Sequence, residues 1–222
     1  GGYGGAAITK AGIGAIIISG YTKIVIFIFL APVIGMVMAF LFSIATLWIV
    51  KDMAPRKVDK YFRKLQLVSA AVYSLSHGSN DAQKTIGIIT IVLFTNKLLG
   101  DTFYVPYWVI IISHTVIALG TLFGGWKVIK TLGMRVTKLS PFGGFSAETA
   151  AGLTIIGATL GGIPVSTTHT ITGSIIGVGS VKGFSAVRWG VAKNILWAWI
   201  LTIPLSALFA MLTYLIATGI FG

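Results

Sequence analysis

Apolar runs separated by short basic or glycine-rich segments set the pattern of this chain. Ile24 to Val50 is 27 residues without a charge, long enough to cross a hydrocarbon core of about 30 Å with tilt. Pro32 inside it is expected to bend the helix. Tyr107 to Phe123 predicts a second span with aromatic residues at its start, and Val187 to Gly219 a third apolar run holding Lys193, Asn194 and Pro204. The length of that run fits one tilted, kinked helix or two packed pieces. Residues 6–19 are small and apolar, interrupted by Lys10 and Gly12.

Two other regions show a different pattern: half a span, a polar break, half a span. In the first, Gln66–Leu75 leads into Ser-His-Gly-Ser-Asn-Asp-Ala-Gln-Lys (76–84), and Thr85–Thr95 resumes the apolar run. In the second, Phe145–Leu160 leads into Gly-Gly-Ile-Pro-Val-Ser-Thr-Thr-His (161–169), and Ile171–Val181 resumes it. Interrupted hydrophobic segments of this kind point to a transporter binding site.

The polar connections carry a charge bias. Residues 51–64 hold six of the 17 Lys and Arg, with Asp52 and Asp59 as the only acids. Such a segment marks the cytoplasmic side. Gly124–Leu139 is amphipathic and adds Lys127, Lys130, Arg135 and Lys138, which suits an interfacial helix or a second basic loop. If 76–95 makes one effective crossing, both basic clusters fall on the same side.

Composition narrows the class. Only 10% of the 222 residues are charged and mean hydropathy is +0.93, whereas soluble domains carry about 25% charged residues. This excludes an ordinary cytosolic enzyme and a disordered chain. The net charge of +12 would suggest nucleic acid in a soluble protein. Here the cations lie between apolar runs, so they read as topology signals and no nucleic acid is expected. Membrane lipid is the expected surrounding. The absence of cysteine excludes disulfides and thiolate metal sites. The opening Gly1-Gly2-Tyr3-Gly4-Gly5 has no basic signal-type start and reads as the inside of a structural element. There is also an internal echo: at an offset of 172, Gly1, Gly5 and Lys10 fall on Gly173, Gly177 and Lys182.

Two acids stand in apolar surroundings, where a carboxylate costs about 2.5–3.5 kcal/mol on insertion scales. Gly78 and Ser79 are expected to open the helix before Asp81. Asn80, Asp81 and unwound carbonyls would then give an all-oxygen donor set suited to a hard cation such as sodium. Thr85, one turn on, can add a hydroxyl. The bland alternative is an Asp81–Lys84 ion pair. Glu148 can bind a cation, carry a proton, or cap its helix near Ser146. Pro164 precedes Ser166, Thr167 and Thr168, three hydroxyls at a helix start, where oriented N–H groups attract anions. Phosphate or sulfate fits there; an ordinary hydroxyl cap fits as well. Gln66 and Ser69 share one helix face and serve either packing or ligand contact.

The motifs SHGSNDAQKTIGII, SAETAAG and PVSTTH, followed by SAVRWGVAKNILWAWILTIP, resemble the inorganic phosphate transporter family, and in its order. The resemblance covers essentially the whole chain, as the second half of such a transporter plus the tail of the first. It implies an all-α polytopic membrane protein: an inverted-repeat transporter with broken, re-entrant helices and about six to seven membrane segments in this chain. Residues 1–50 would be the tail of the first repeat and a span, 51–64 a basic cytoplasmic loop, and 65–222 the second-repeat transport domain. It further implies phosphate contacts from Ser166, Thr167, Thr168, Gln66 and Ser69. Cation binding falls to Asn80, Asp81 and Glu148, with sodium at Asn80 and Asp81, and Thr85 joins them by its spacing from Asp81 alone. The first half's Asn-Asp and Ser-Thr-Thr-His are missing, so the partner would be that half or another copy of the chain.

The function expected is a cation-coupled phosphate symporter, with sodium or a proton as coupling ion, no organic cofactor, and a multi-pass location in the plasma (inner) membrane. No covalent chemistry is required. Rivals are a sulfate or other oxyanion permease on the same scaffold, a non-transporting membrane subunit, and an intramembrane hydrolase with Ser166 as nucleophile. The last lacks an orienting acid, an oxyanion hole and a G-x-S-x-G turn.

Overall fold

The computed structural model describes residues 1–221, apart from the side chains of Lys127 and Phe221. Its regular structure is helical: α1 (Gly2–Ala11), α2 (Ile18–Val50), α3 (Pro55–Thr95), α4 (Tyr107–Gly124), α5 (Trp126–Lys130), α6 (Pro141–Leu160), α7 (Thr167–Val181) and α8 (Trp189–Phe221). Helices α2, α4 and α8 are long and apolar enough to cross a membrane. The chain is therefore read as an integral membrane protein. It divides into two compact units, Gly1–Phe29 with Arg188–Gly222, and Leu30–Val187.

Helix α3 corrects the sequence reading twice. It begins at Pro55, in the first-turn position that proline favours, so the basic segment 51–64 is a loop only as far as Ala54. It then runs unbroken through Gly78 and Ser79 for 41 residues. Glycine costs about 1 kcal/mol against alanine inside a helix, and packing on both sides outweighs that. Ser76 donates to the Val72 carbonyl at 2.9 Å, Asn80 is buried, and Ala82 is buried in a cluster with Ile86 and Val109 of α4. Proline, the residue that removes a helical N–H, does not recur in α3 after its first position.

The break between α6 and α7 is real. Gly162 takes a φ of +64°, in the left-handed region where glycine has no Cβ penalty, and Pro164 follows. Helix α7 starts at Thr167 with Ser166 as its cap, whose hydroxyl accepts from the His169 N–H at 3.4 Å. Segment 124–139 forms α5 and a π-helical turn, Thr131–Val136. The Lys127 side chain in it lies outside the described residues. The run after Val187 is one helix, α8, continuous through Pro204.

Within the larger unit, two helix pairs run parallel in fixed register. Ser69 meets Glu148 and Asn80 meets Thr159, each pair 79 residues apart, so α3 and α6 advance together. Small residues of α6 (Gly144, Ala147, Ala151) are buried along its length. Similarly, a methyl group on Gly173 would collide with the Pro32 backbone and one on Gly177 with Met36. Both pairs are 141 residues apart, so α7 lies parallel to α2. On α2 the buried positions Ala31, Gly35, Ala39 and Ser43 recur every four residues. This is the small-residue packing expected where helices associate without a hydrophobic driving force. The Ser174 hydroxyl donates to the Gly35 carbonyl at 3.1 Å.

The smaller unit repeats the device. A methyl on Gly5 would strike the Ala207 backbone, and one on Gly1 would strike Ser206. The sequence echo is thus structural. Each glycine-bearing helix is followed by a positive-φ glycine (Gly12, +76°; Gly183, +119°) and a single 3₁₀ turn. A 33-residue helix with an internal proline then follows.

Candidate functional site

Two polar clusters lie along the α3–α6 seam, both within the larger unit. At the first, the Ser69 hydroxyl donates to Glu148 Oε2 at 2.6 Å, and Ser69 itself is buried. The Gln66 side chain faces the same carboxylate, and a methyl group on Gly144 would collide with the Gln66 amide. Ser140, not Glu148, caps α6: its hydroxyl accepts from the Gly143 N–H at 3.2 Å. Glu148 therefore lies two turns inside its helix, and the capping reading is corrected. The hydroxyls of Ser146 and Thr149 are buried and have no hydrogen-bond partner among the described residues.

The second cluster gathers around the tip of the α6–α7 hairpin. Thr167 is 2% exposed and donates to Asp81 Oδ2 at 3.1 Å. Lys84 Nζ donates to Asp81 Oδ1 at 3.0 Å and to the Val165 carbonyl at 3.1 Å. His77 Nε2 stands 3.5 Å from Asp81 Oδ2, and its ring lies 5.8 Å from that of Tyr73. Asn80 is 5% exposed; its amide donates to Thr159 Oγ1 at 3.0 Å, while Oδ1 is buried without a partner among the described residues. A buried acceptor left unpaired carries a desolvation penalty of about 1–3 kcal/mol. A cation or donor in this place would remove it.

The ion pair named as the bland alternative is thus present. Its carboxylate nevertheless sits at the α7 start, not in bulk solvent, with side-chain exposure of 33%. Asp81 lies 17 residues past Lys64, the last cation of the basic segment, and 14 before the end of α3. That places it near the middle of the apolar part of the helix.

The structure divides the expected residues differently from the sequence grouping. Eleven residues separate Ser69 from Asn80 on the unbroken α3, about 16 Å at 1.5 Å per residue. Gln66 and Ser69 therefore stand with Glu148 and apart from Ser166–Thr168. The three hydroxyls also fan out, since neighbouring helical positions differ by about 100°. Ser166 caps, Thr167 meets Asp81, and Thr168 is exposed. Thr85 is exposed and lies about 140° around α3 from Asn80, outside the hydrogen-bonded group. Thr159, and the reach of Lys84 to the Val165 carbonyl in the α6–α7 link, were missed. The constant 79-residue register could have pointed to Thr159, but it becomes visible only with α3 unbroken.

A family model described as the phosphate transporter family matches residues 1–210. The chain belongs to that family. Among the relatives of this phosphate transporter family chain, a protein of Rhizobium meliloti described as a probable low-affinity inorganic phosphate transporter is 51% identical over 217 residues. The match covers 98% of this chain and 65% of that protein. A Bacillus subtilis protein with the same description is 44% identical, with the same two coverages. The chain thus spans just under two thirds of the length of these relatives. Among solved structures, one described as the sodium-dependent phosphate transporter superposes with a TM-score of 0.80 at 23% identity. The superposition covers 96% of this chain and 70% of that one, which shows a common fold.

Proposed function

We propose that this chain forms the larger part of a sodium-coupled inorganic phosphate symporter of the plasma membrane. The observation that carries the reading is the Asp81–Thr167 hydrogen bond, with the unpartnered Asn80 oxygen beside it. A carboxylate in an apolar helix is a functional group by default. Here it touches the start of α7, where oriented N–H groups favour an anion. A sodium ion held by Asn80 and Asp81 would offset the charge of a phosphate received at the Ser166–Thr168 turn. No bond is made or broken; the work is binding and release.

Helix α7 has 15 residues, about 22 Å, shorter than the hydrocarbon core. In this reading α6 and α7 enter and leave on one face as a re-entrant hairpin with its tip near mid-membrane. The Glu148–Ser69–Gln66 cluster is a second position for a coupling cation. An inverted counterpart, from the rest of the longer protein or from a second copy, would complete the site, and the two halves would alternate access around it. The low-affinity phosphate descriptions of the relatives support phosphate, and the sodium dependence ascribed to the structural neighbour supports sodium.

The test is labelled phosphate uptake by the full-length protein in liposomes under a sodium gradient. Asp81→Asn is expected to lower sodium-driven uptake at least about tenfold, the effect of one lost charge-assisted contact. Competition by arsenate and not by sulfate is expected. Wild-type uptake in the variant would overturn the reading of Asp81, and competition by sulfate would overturn the substrate.

A further inference from the structure

We propose that Lys84 is a tethered cation that competes with sodium for Asp81 and so sets the sodium concentration at which the transporter works. The inference rests on the assignment of Asp81 to the coupling site and goes beyond it.

Lys84 is one turn from Asp81 on α3. Its ammonium takes one carboxylate oxygen at 3.0 Å and then crosses to the α6–α7 link, where it takes the Val165 carbonyl at 3.1 Å. Two hard oxygens from two separate segments thus converge on one monovalent positive charge. The same carboxylate's other oxygen is held by Thr167 at 3.1 Å. Val165 is buried, so its carbonyl is a fixed part of the hairpin tip. An ammonium is a compact point charge with three donors on a flexible stem, the side chain best able to stand in for a small cation among oxygens.

Lys84 can also leave. Its side chain is 49% exposed, so no packing within this chain confines it once it lets go. A group tethered one turn away acts at an effective concentration in the millimolar range, and a sodium ion must displace it to reach Asp81. An exposed pair and one neutral-acceptor hydrogen bond are together worth a modest amount. The competitor therefore weakens sodium binding without abolishing it. The pair that looks like a purely structural i,i+3 contact becomes, in this account, the resting state of the cation site.

Two measurements on the full-length protein test this. In liposomes, sodium titrations of phosphate uptake at saturating phosphate should show half-saturation roughly three- to tenfold lower in Lys84→Gln than in wild type. Lys84→Arg, which keeps the charge, should lie between the two. The half-saturation for phosphate at saturating sodium should move less than that for sodium. The second measurement uses the wild type alone: acylation of Lys84 by an amine-selective ester, read by mass spectrometry. Replacing choline with sodium should raise Lys84 modification several-fold relative to Lys57 on the basic segment.

A sodium half-saturation in Lys84→Gln equal to or above the wild-type value overturns the proposal. So does a change confined to phosphate half-saturation, which would make Lys84 an anion ligand. Lys84 acylation that sodium leaves unchanged or lowers overturns it too. If Asp81→Asn abolishes uptake while Lys84→Gln keeps the wild-type sodium response, the role of Asp81 stands and only that of Lys84 fails. If Asp81→Asn transports normally, both fall.

Discussion

Ser69 and Glu148 make the shortest hydrogen bond of the α3–α6 seam among the described residues, 2.6 Å, with Ser69 buried. Hydrogen bonds to charged groups contribute about 1.5–3 kcal/mol, and a buried partner left unpaired loses its share. Ser69→Ala is therefore expected to destabilise the protein by about 1.5–3 kcal/mol in a denaturation experiment in detergent. Glu148→Gln keeps an acceptor of the same shape and should cost less. A larger effect for Gln would show that the charge of Glu148 is held by more than Ser69. Asn80 is the opposite case: its oxygen is buried without a partner among the described residues, and under the proposed function that oxygen is where a bound cation would add stability.

At the scale of elements, glycines divide into two kinds. Gly173 and Gly177 on α7 face the backbone of α2, where a Cβ has no room. A methyl group placed on Gly78 in α3 would meet nothing within 4 Å. Gly78→Ala should accordingly stabilise α3, by up to about 1 kcal/mol, while Gly173→Val should lose the folded protein or lower its thermal midpoint sharply. Thermal unfolding of the two variants checks both. Destabilisation by Gly78→Ala would mean that the helix opens at that point.

The same comparison explains what could be read from the sequence. Both interrupted segments contain glycine, hydroxyls and a charged or polar centre, yet only one is broken. Gly161-Gly162-Ile163-Pro164 removes an N–H and supplies a left-handed turn. Gly78-Ser79-Asn80-Asp81 does neither, and its polar side chains find partners on α6 and α7 while the helix continues. The spans at α2, α4 and α8 were legible because each carries a long apolar run with few charges. Asp81 and Thr167 were each singled out from their own motif, and their meeting appears only in the fold. The separation of Gln66 and Ser69 from the α7 start was hidden, because it depends on the unbroken length of α3.

For the larger unit as a whole, length and charge fix a direction. Helix α3 has 41 residues, about 61 Å, well beyond a bilayer of about 40–45 Å with its headgroups. Its first turns, with Arg56, Lys57, Lys60, Arg63 and Lys64, therefore project into water. Helix α4 folds back along α3 through the Ala82, Ile86 and Val109 cluster, which returns Lys130 and Arg135 to the same end. Both basic clusters should face the cytoplasm. The chain has no cysteine, so single cysteines at Lys57, Lys130 and Thr102 can be labelled without background from it. An impermeant maleimide added to intact cells should modify position 102 and spare 57 and 130 until the membrane is opened. Labelling of 57 from outside would reverse the orientation.

Helices α3 and α6 are joined at two points with one and the same spacing, Ser69 to Glu148 and Asn80 to Thr159. Sliding one along the other by a single turn would break both joints at once and bring neither donor to a new acceptor of equal quality. The pair is thus suited to travel as one stiff beam. Any movement of the hairpin tip is then expected in the link 161–166, with its left-handed Gly162, rather than between α3 and α6.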